Sequence, residues 1–293
     1  MSAITTSQLT KIYNHVPAVD NLDLTVEHGE LFALLGVNGA GKTTTIKMLS
    51  CLTKPTSGDA VVLGNSIVSA SHAVKEITNI SPQETAVAAN LSVSENLMLI
   101  AGIYGQDKRT AKKSTHEMVR KFSLDHELNK KAKHLSGGMQ RRLSIAMALI
   151  SSPLILFLDE PTLGLDVLAR RELWKSIREL KGNVTIILTT HYMDEVEALA
   201  DRVGIMGNGR LKATGTVAEI LKLKGTNRLE DAFITLSGGV LWECCYLQIV
   251  TQRRCCVTPL IYFLAWDSRS YCLCCYQSSI QPFHQKPITR CLR

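Results

Sequence analysis

The chain has 293 residues, 45% of them apolar and 20% charged, which suits one large globular domain or two small ones and excludes the fibrous and disordered classes. Its formal charge of +7 would suit nucleic acid or anionic lipid, but residues 240–293 carry six Lys and Arg against two Asp and Glu, which leaves the first 239 residues nearly neutral. No nucleic-acid partner is therefore expected. No apolar run reaches the roughly 18 to 20 residues that span a bilayer, and the opening MSAITTSQLTK lacks the charged-then-apolar order of a secretion signal. Of nine cysteines, eight follow Trp242, so the body is expected to be a soluble, reduced, cytosolic protein.

Short apolar runs at residues 31–35, 61–63, 154–158 and 184–188 have the pattern of strands buried on both faces, and longer helical patterns alternate with them. That alternation predicts an α/β fold with a mainly parallel sheet, its ligands gathered beyond the carboxyl ends of the strands. After the first run comes Gly36-Val37-Asn38-Gly39-Ala40-Gly41-Lys42-Thr43, leading into a helix expected to begin near Thr44. A glycine-rich loop between a strand and a helix lets backbone N–H groups wrap a polyphosphate. Lys42 adds a positive charge for the β and γ phosphates, and Thr43 offers a hydroxyl to Mg²⁺.

Residues 84–136 are rich in Ala, Lys, Asn and Ser at helical spacing and read as an inserted helical subdomain whose cations form a solvated face. At its end Leu135-Ser136-Gly137-Gly138-Met139-Gln140 places Ser136 at a helix N-cap, with open N–H groups that suit a second phosphate site; alone, it is an ordinary helix-start turn. In the following helix Met139, Leu143, Met147 and Ile150 share one apolar face, with Gln140, Arg141 and Arg142 off it. The run at 154–158 then ends in Asp159 and Glu160. A P-loop fold needs such a strand: Asp159 to hold Mg²⁺ through its waters, and Glu160, pointing to the opposite side of the strand end, to polarise an attacking water.

Taken in order, GVNGAGKTT, LSGGMQRR, LILFLDEPTLGLD and TTHYMDEVEALADR resemble the segments of the ATP-binding cassette (ABC) transporter ATPases, and residues 2–236 are covered by that resemblance. The run AVDNLDLTVEHGELFALLGVNGAGKTTTIKML resembles bacterial exporter cassettes of the drug, antibiotic and sodium efflux type. The resemblance implies a P-loop cassette with N-terminal antiparallel strands, ATP hydrolysis dependent on Mg²⁺, and a place on the cytoplasmic face of the membrane beside a separate permease. It further implies a cassette dimer, homodimeric by expectation, in which the P-loop residues 36–44, Thr44 included, face Ser136, Gly137, Gly138 and Gln140 of the other subunit. By the same resemblance Tyr13 stacks on adenine, although a core or edge-strand tyrosine is the plainer reading. Gln83 touches Mg²⁺ and water, Asp166 lies in the loop where subunits sense each other, and His191 contacts the γ phosphate. Residues 90–101 would receive the permease, or are simply an amphipathic helix. One departure is Ser81 before Pro82, where a bulky residue is usual.

Two other classes stay open at this point: a soluble cassette ATPase acting on ribosomes or DNA, against which a single P-loop and the lack of long heptads argue, and a binding module without hydrolysis, against which Asp159 and Glu160 argue. Residues 1–239 are expected to form the cassette, with residues 229–236 its closing helix. Residues 240–293 are an atypical tail with eight cysteines. A CxxC metal site at Cys272 and Cys275, a short membrane contact at residues 258–266, and a frameshifted translation without selected structure are the three readings, the last preferred.

Overall fold

A computed structural model describes residues 2–237. The readings placed on residues 240–293 lie outside the described residues.

The strands are β1 (Ser2–Tyr13), β2 (Val16–Leu22), β3 (Thr25–Glu27), β4 (Leu31–Gly36), β5 (Ser57–Val62), β6 (Asn65–Ser66), β7 (Thr78–Ser81), β8 (Ile155–Asp159), β9 (Thr185–Thr190), β10 (Arg202–Gly207) and β11 (Arg210–Gly215). The helices are α1 (Lys42–Leu49), α2 (Ser71–Ile77), α3 (Val93–Ile103), α4 (Lys108–Lys121), α5 (Gly137–Leu149), α6 (Val167–Arg178), α7 (Met193–Leu199), α8 (Val217–Lys224) and α9 (Leu229–Ser237).

A six-stranded sheet runs in the order β11-β10-β4-β9-β8-β7, parallel from β10 to β7, with β11 antiparallel at one edge. A second sheet is antiparallel and N-terminal, in the order β2-β1-β5-β6 with β3 paired to β1. The α/β class with antiparallel N-terminal strands is thus as expected.

Strands β4, β8 and β9 are buried along their whole length, because the parallel sheet is covered on both faces. The period of two sorts their side chains. Ile155, Phe157 and Ile187 pack with α1 and the antiparallel sheet, whereas Leu156, Leu158, Ile186 and Leu188 pack with the helices of the insert. Each such fully buried side chain contributes about 1.5–3 kcal/mol.

Residues 61–63 do not form a strand buried on both faces of the parallel sheet. Val61 and Val62 end β5 in the antiparallel sheet and Leu63 follows it; Val61 is 44% exposed and the burial alternates. A three-residue apolar run carries too little periodicity to separate the two cases. The helix after the P-loop begins at Lys42, two residues before the expected Thr44.

The insert holds α3, α4 and two short 3₁₀ turns before α5. Ser92 and Glu95 form a reciprocal capping box that starts α3. Buried Asn96 accepts from the N–H of Ala88 at 2.8 Å and donates to the carbonyls of Ala88, Leu91 and Ser92, which fixes the approach to the helix. Helix α5 departs from its expected amphipathic form. Arg141 and Arg142 are buried along with Leu143, Ile145 and Ala146, because α5 lies between the parallel sheet, α3, α4 and α6.

Candidate functional site

Beyond the carboxyl ends of β4, β8 and β9 lies a cavity of 380 Å³ lined by Asn38, Gly39, Ala40, Gly41, Lys42, Thr43, Thr44, Gln83, Glu160 and His191, together with Ala18 and Leu163. The loop that wraps it turns at Gly41, with φ at +102°; a Cβ there would lie 2.5 Å from the carbonyl oxygen of Ala18. Only glycine meets both conditions. Gly36 ends β4 and stands behind the loop, its carbonyl accepting from Lys42 Nζ at 2.7 Å, while Val37 turns outward and is exposed.

Lys42 is 5% exposed, and its Nζ also lies 3.2 Å from Glu160 Oε1. The other carboxylate oxygen, Oε2, meets His191 Nδ1 at 2.7 Å. Glu160 is thereby held between a lysine and an imidazole at the cavity wall. It does not point to the opposite side from Asp159, as strand alternation predicted. The strand ends at Asp159, and φ at Glu160 is +47°, a left-handed turn that brings both carboxylates to the first turn of α1. Such a conformation is uncommon for a residue with a side chain and costs of order 1–3 kcal/mol. Asp159 Oδ1 accepts from Thr43 Oγ1 at 3.0 Å and from Thr189 Oγ1 at 2.5 Å, and Thr189 also accepts the N–H of Glu160 on its carbonyl at 3.1 Å.

The hydroxyl of Thr43 beside the Asp159 carboxylate is a pair of hard oxygen donors, the chemistry that Mg²⁺ takes when phosphates and waters complete its shell. No group of three or more His, Cys, Asp or Glu is placed to hold a metal alone among the described residues.

The remaining expected residues lie outside the cavity lining. Ser136 caps α5, its Oγ accepting from Met139 N at 3.3 Å, and both Ser136 and Gly137 are exposed. Gln140 donates to the carbonyls of Ala132 and Leu135, which locks the turn before that cap. Asp166 caps α6 through the N–H groups of Leu168 and Ala169, both at 2.9 Å. Tyr13 ends β1 with its ring 45% exposed and Lys11 Nζ 5.1 Å from the ring centre, so it is no core tyrosine. Ser81, the departure before Pro82, is fully buried with its hydroxyl 3.3 Å from that of Ser144, facing α5.

A profile of the family described as ABC transporter matches residues 19–163. The daunorubicin/doxorubicin resistance ATP-binding protein DrrA of Streptomyces peucetius is 40% identical over 235 residues, covering 78% of this chain and 71% of that protein. The daunorubicin resistance ATP-binding protein DrrA3 of Streptomyces coeruleorubidus is 39% identical over 230 residues, covering 78% and 73%. The chain belongs to the ABC transporter ATP-binding family. A solved ATP-binding subunit of an ABC transporter superposes with a TM-score of 0.72 at 29% identity, over 80% of this chain and 99% of that one. The protein is therefore an ATP-hydrolysing cassette of the exporter type, coupled to transport, as its four motifs implied.

Sequence reasoning missed two buried groups of this cassette. Arg141, expected off the apolar face of its helix, is 4% exposed, and its guanidinium reaches the backbone on both sides of the site. Burial pulls its pKa down to about 10, against the opposing pull of Asp159 and Glu195. Glu195, in α7, is fully buried and accepts from Trp174 Nε1 at 3.1 Å. Burial pushes its pKa up to about 7, opposed in part by the hydrogen bond from Trp174. The only sequence signal was an acid and a cation embedded in helices with apolar neighbours.

Proposed function

We propose that two copies of this chain close on ATP, each P-loop facing Ser136, Gly137, Gly138 and Gln140 of the other copy, and that hydrolysis reopens them to drive export through a separate permease. What supports the reading is the division of the anion-binding parts. Lys42, Thr43, Gln83, Glu160 and His191 line one cavity, while Ser136 and Gly137 sit exposed outside it. A second subunit supplies what one subunit keeps apart.

In the closed pair, residues 36–44 hold the phosphates through backbone N–H groups and Lys42, and Tyr13 lies against the adenine. Glu160 takes the proton of a water as that water attacks the γ phosphorus. The bond to the β–γ bridging oxygen breaks, and ADP and phosphate result. His191 holds Glu160 and, with Lys42, offsets charge on the transferring phosphoryl group. Mg²⁺, when bound, neutralises charge on the β and γ oxygens; Thr43, Asp159 and Gln83 are the residues that would hold it. Asp166 reads the state of the other copy.

The permease meets residues 90–101, where α3 leaves Leu99 49% exposed. No helix among the described residues is long and apolar enough to cross a membrane. Beside that permease the cassette works as a peripheral subunit on the cytoplasmic face, the place the exporter resemblance implies. Residues 1–239 are the cassette and residues 84–136 its helical insert; residues 240–293 take no part.

Phosphate release by the purified chain with Mg²⁺ and ATP tests the catalytic part of this reading. Glu160→Gln should keep ATP binding and lose turnover by about 10²–10⁴-fold. Unimpaired turnover would remove Glu160 from its role.

A further inference from the structure

Arg141 lies five residues into α5, and every nitrogen of its guanidinium donates to a backbone carbonyl. Nε donates to Pro161 O at 2.9 Å, Nη2 to Asp159 O at 2.8 Å, and Nη1 to both Pro82 O and Gln83 O, the latter at 3.2 Å. These four carbonyls belong to two segments only. Pro82 and Gln83 follow β7; Asp159 and Pro161 stand on either side of Glu160 at the end of β8. β7 and β8 are neighbouring parallel strands, and beyond Ser81 and Asp159 their chains leave the ladder. Carbonyls freed there and buried need donors, and a planar five-donor fork matches several at fixed spacing where an ammonium cannot.

The bracketed residue is also strained. Glu160 keeps φ at +47°, and the carbonyl before it and the carbonyl after it are both tied to the same guanidinium. A left-handed non-glycine residue persists only where its surroundings hold it.

We propose that Arg141 is a positioning residue for hydrolysis: its guanidinium fixes the backbone at Gln83 against the Asp159 and Pro161 carbonyls on either side of Glu160, so the groups around the attacking water keep one spacing. The inference rests on the roles given above to Gln83 and Glu160. A displacement of about 1 Å in such a constellation can cost 10²-fold in rate, and outer residues that orient metal-binding groups are worth about 10–100-fold. Arg141 also sits in the helix that Ser136 opens, so a shift of that helix is carried to both segments at once.

The test compares the wild type, Arg141→Lys, Arg141→Met and Glu160→Gln for ATP hydrolysis. It also follows binding of a fluorescent ATP analogue with Mg²⁺ and with EDTA, and amide hydrogen exchange over residues 82–85 and 160–163. In Arg141→Lys, kcat per bound nucleotide should fall about 10–100-fold while KM for ATP stays within about threefold. Binding in EDTA should match the wild type, the gain that Mg²⁺ gives should shrink, and both segments should lose protection together. A kcat within twofold of the wild type, with the Mg²⁺ gain intact, overturns the proposal, even if thermal stability drops. Arg141→Met leaves four carbonyls without a donor; should it fail to fold, Arg141→Lys decides. Normal turnover in Glu160→Gln would instead mark the failure of the catalytic reading, whereas an inactive Glu160→Gln beside an active Arg141→Lys rejects this inference alone.

Discussion

Gly138 separates packing from chemistry. It is buried in the first turn of α5, and a Cβ added to it would lie 2.7 Å from the Cβ of Ala169 in α6, with Ala169 Cα next at 3.8 Å. Carbon atoms prefer about 3.5–4.0 Å, so Gly138→Ala forces the two helices apart by about 1 Å. Overpacking of this kind costs about 1–3 kcal/mol, and the helix propensity of alanine returns at most ~1 kcal/mol. In a domain of this size the net loss should lower Tm by about 2–6 °C. Removing the opposing methyl in Gly138→Ala/Ala169→Gly relieves the overlap and should bring stability back to within ~1 kcal/mol of the wild type. Any ATP hydrolysis lost in the single variant should return with it, because the added methyl points at α6 and leaves the exposed Ser136 and Gly137 clear. Thermal unfolding and phosphate release on the same samples read both quantities. A double variant as unstable as the single one would refute the packing argument, and one that regains stability without hydrolysis would refute the separation of the methyl from the site.

Two further outcomes follow from the same structure. Glu195 has an ordinary pKa of 4.5 raised to about 7 in the fold, so between those values the native state keeps a proton that the unfolded chain has released. Stability supplied by that proton is present below pH 4.5 and is lost as pH rises through 7. Glu195→Gln, which carries no charge and keeps an acceptor for Trp174, should therefore gain on the wild type by up to about 3 kcal/mol between pH 5 and 8.5. Denaturant unfolding at those two pH values checks this, and a gap that does not widen contradicts it. Ending the chain after Gly239 should leave Tm and ATP hydrolysis unchanged; loss of either would give residues 240–293 a part in the cassette.

The legible part of the site was the part written in contiguous residues. The P-loop, Asp159 and Glu160 each combine a strand, a turn and a chemical group in one short stretch, so the meeting of Glu160 with the P-loop at one cavity, and of Asp159 with Thr43 beside it, was foreseeable. Arg141 and Glu195 were not legible, because burial decides their roles and their partners come from elsewhere in the chain. The carbonyls that Arg141 serves stand 18 to 59 residues away, and an arginine beside Gln140 and Arg142 reads as lying off the apolar face of its helix. Residues 61–63 failed for the opposite reason: a short apolar run looks alike in an antiparallel sheet with one exposed face and in a parallel core. The turn of Glu160 toward the same wall as Asp159 escaped strand periodicity, since a left-handed residue breaks the alternation on which that prediction relied.

The account stands on a composite site shared by two copies, and the mass of Glu160→Gln in saturating Mg²⁺ and ATP tests it most directly. The account predicts a shift from monomer to a stable dimer on adding ATP, and return to monomer when Ser136→Arg is introduced into the same chain. A mass that remains monomeric with ATP bound would contradict it.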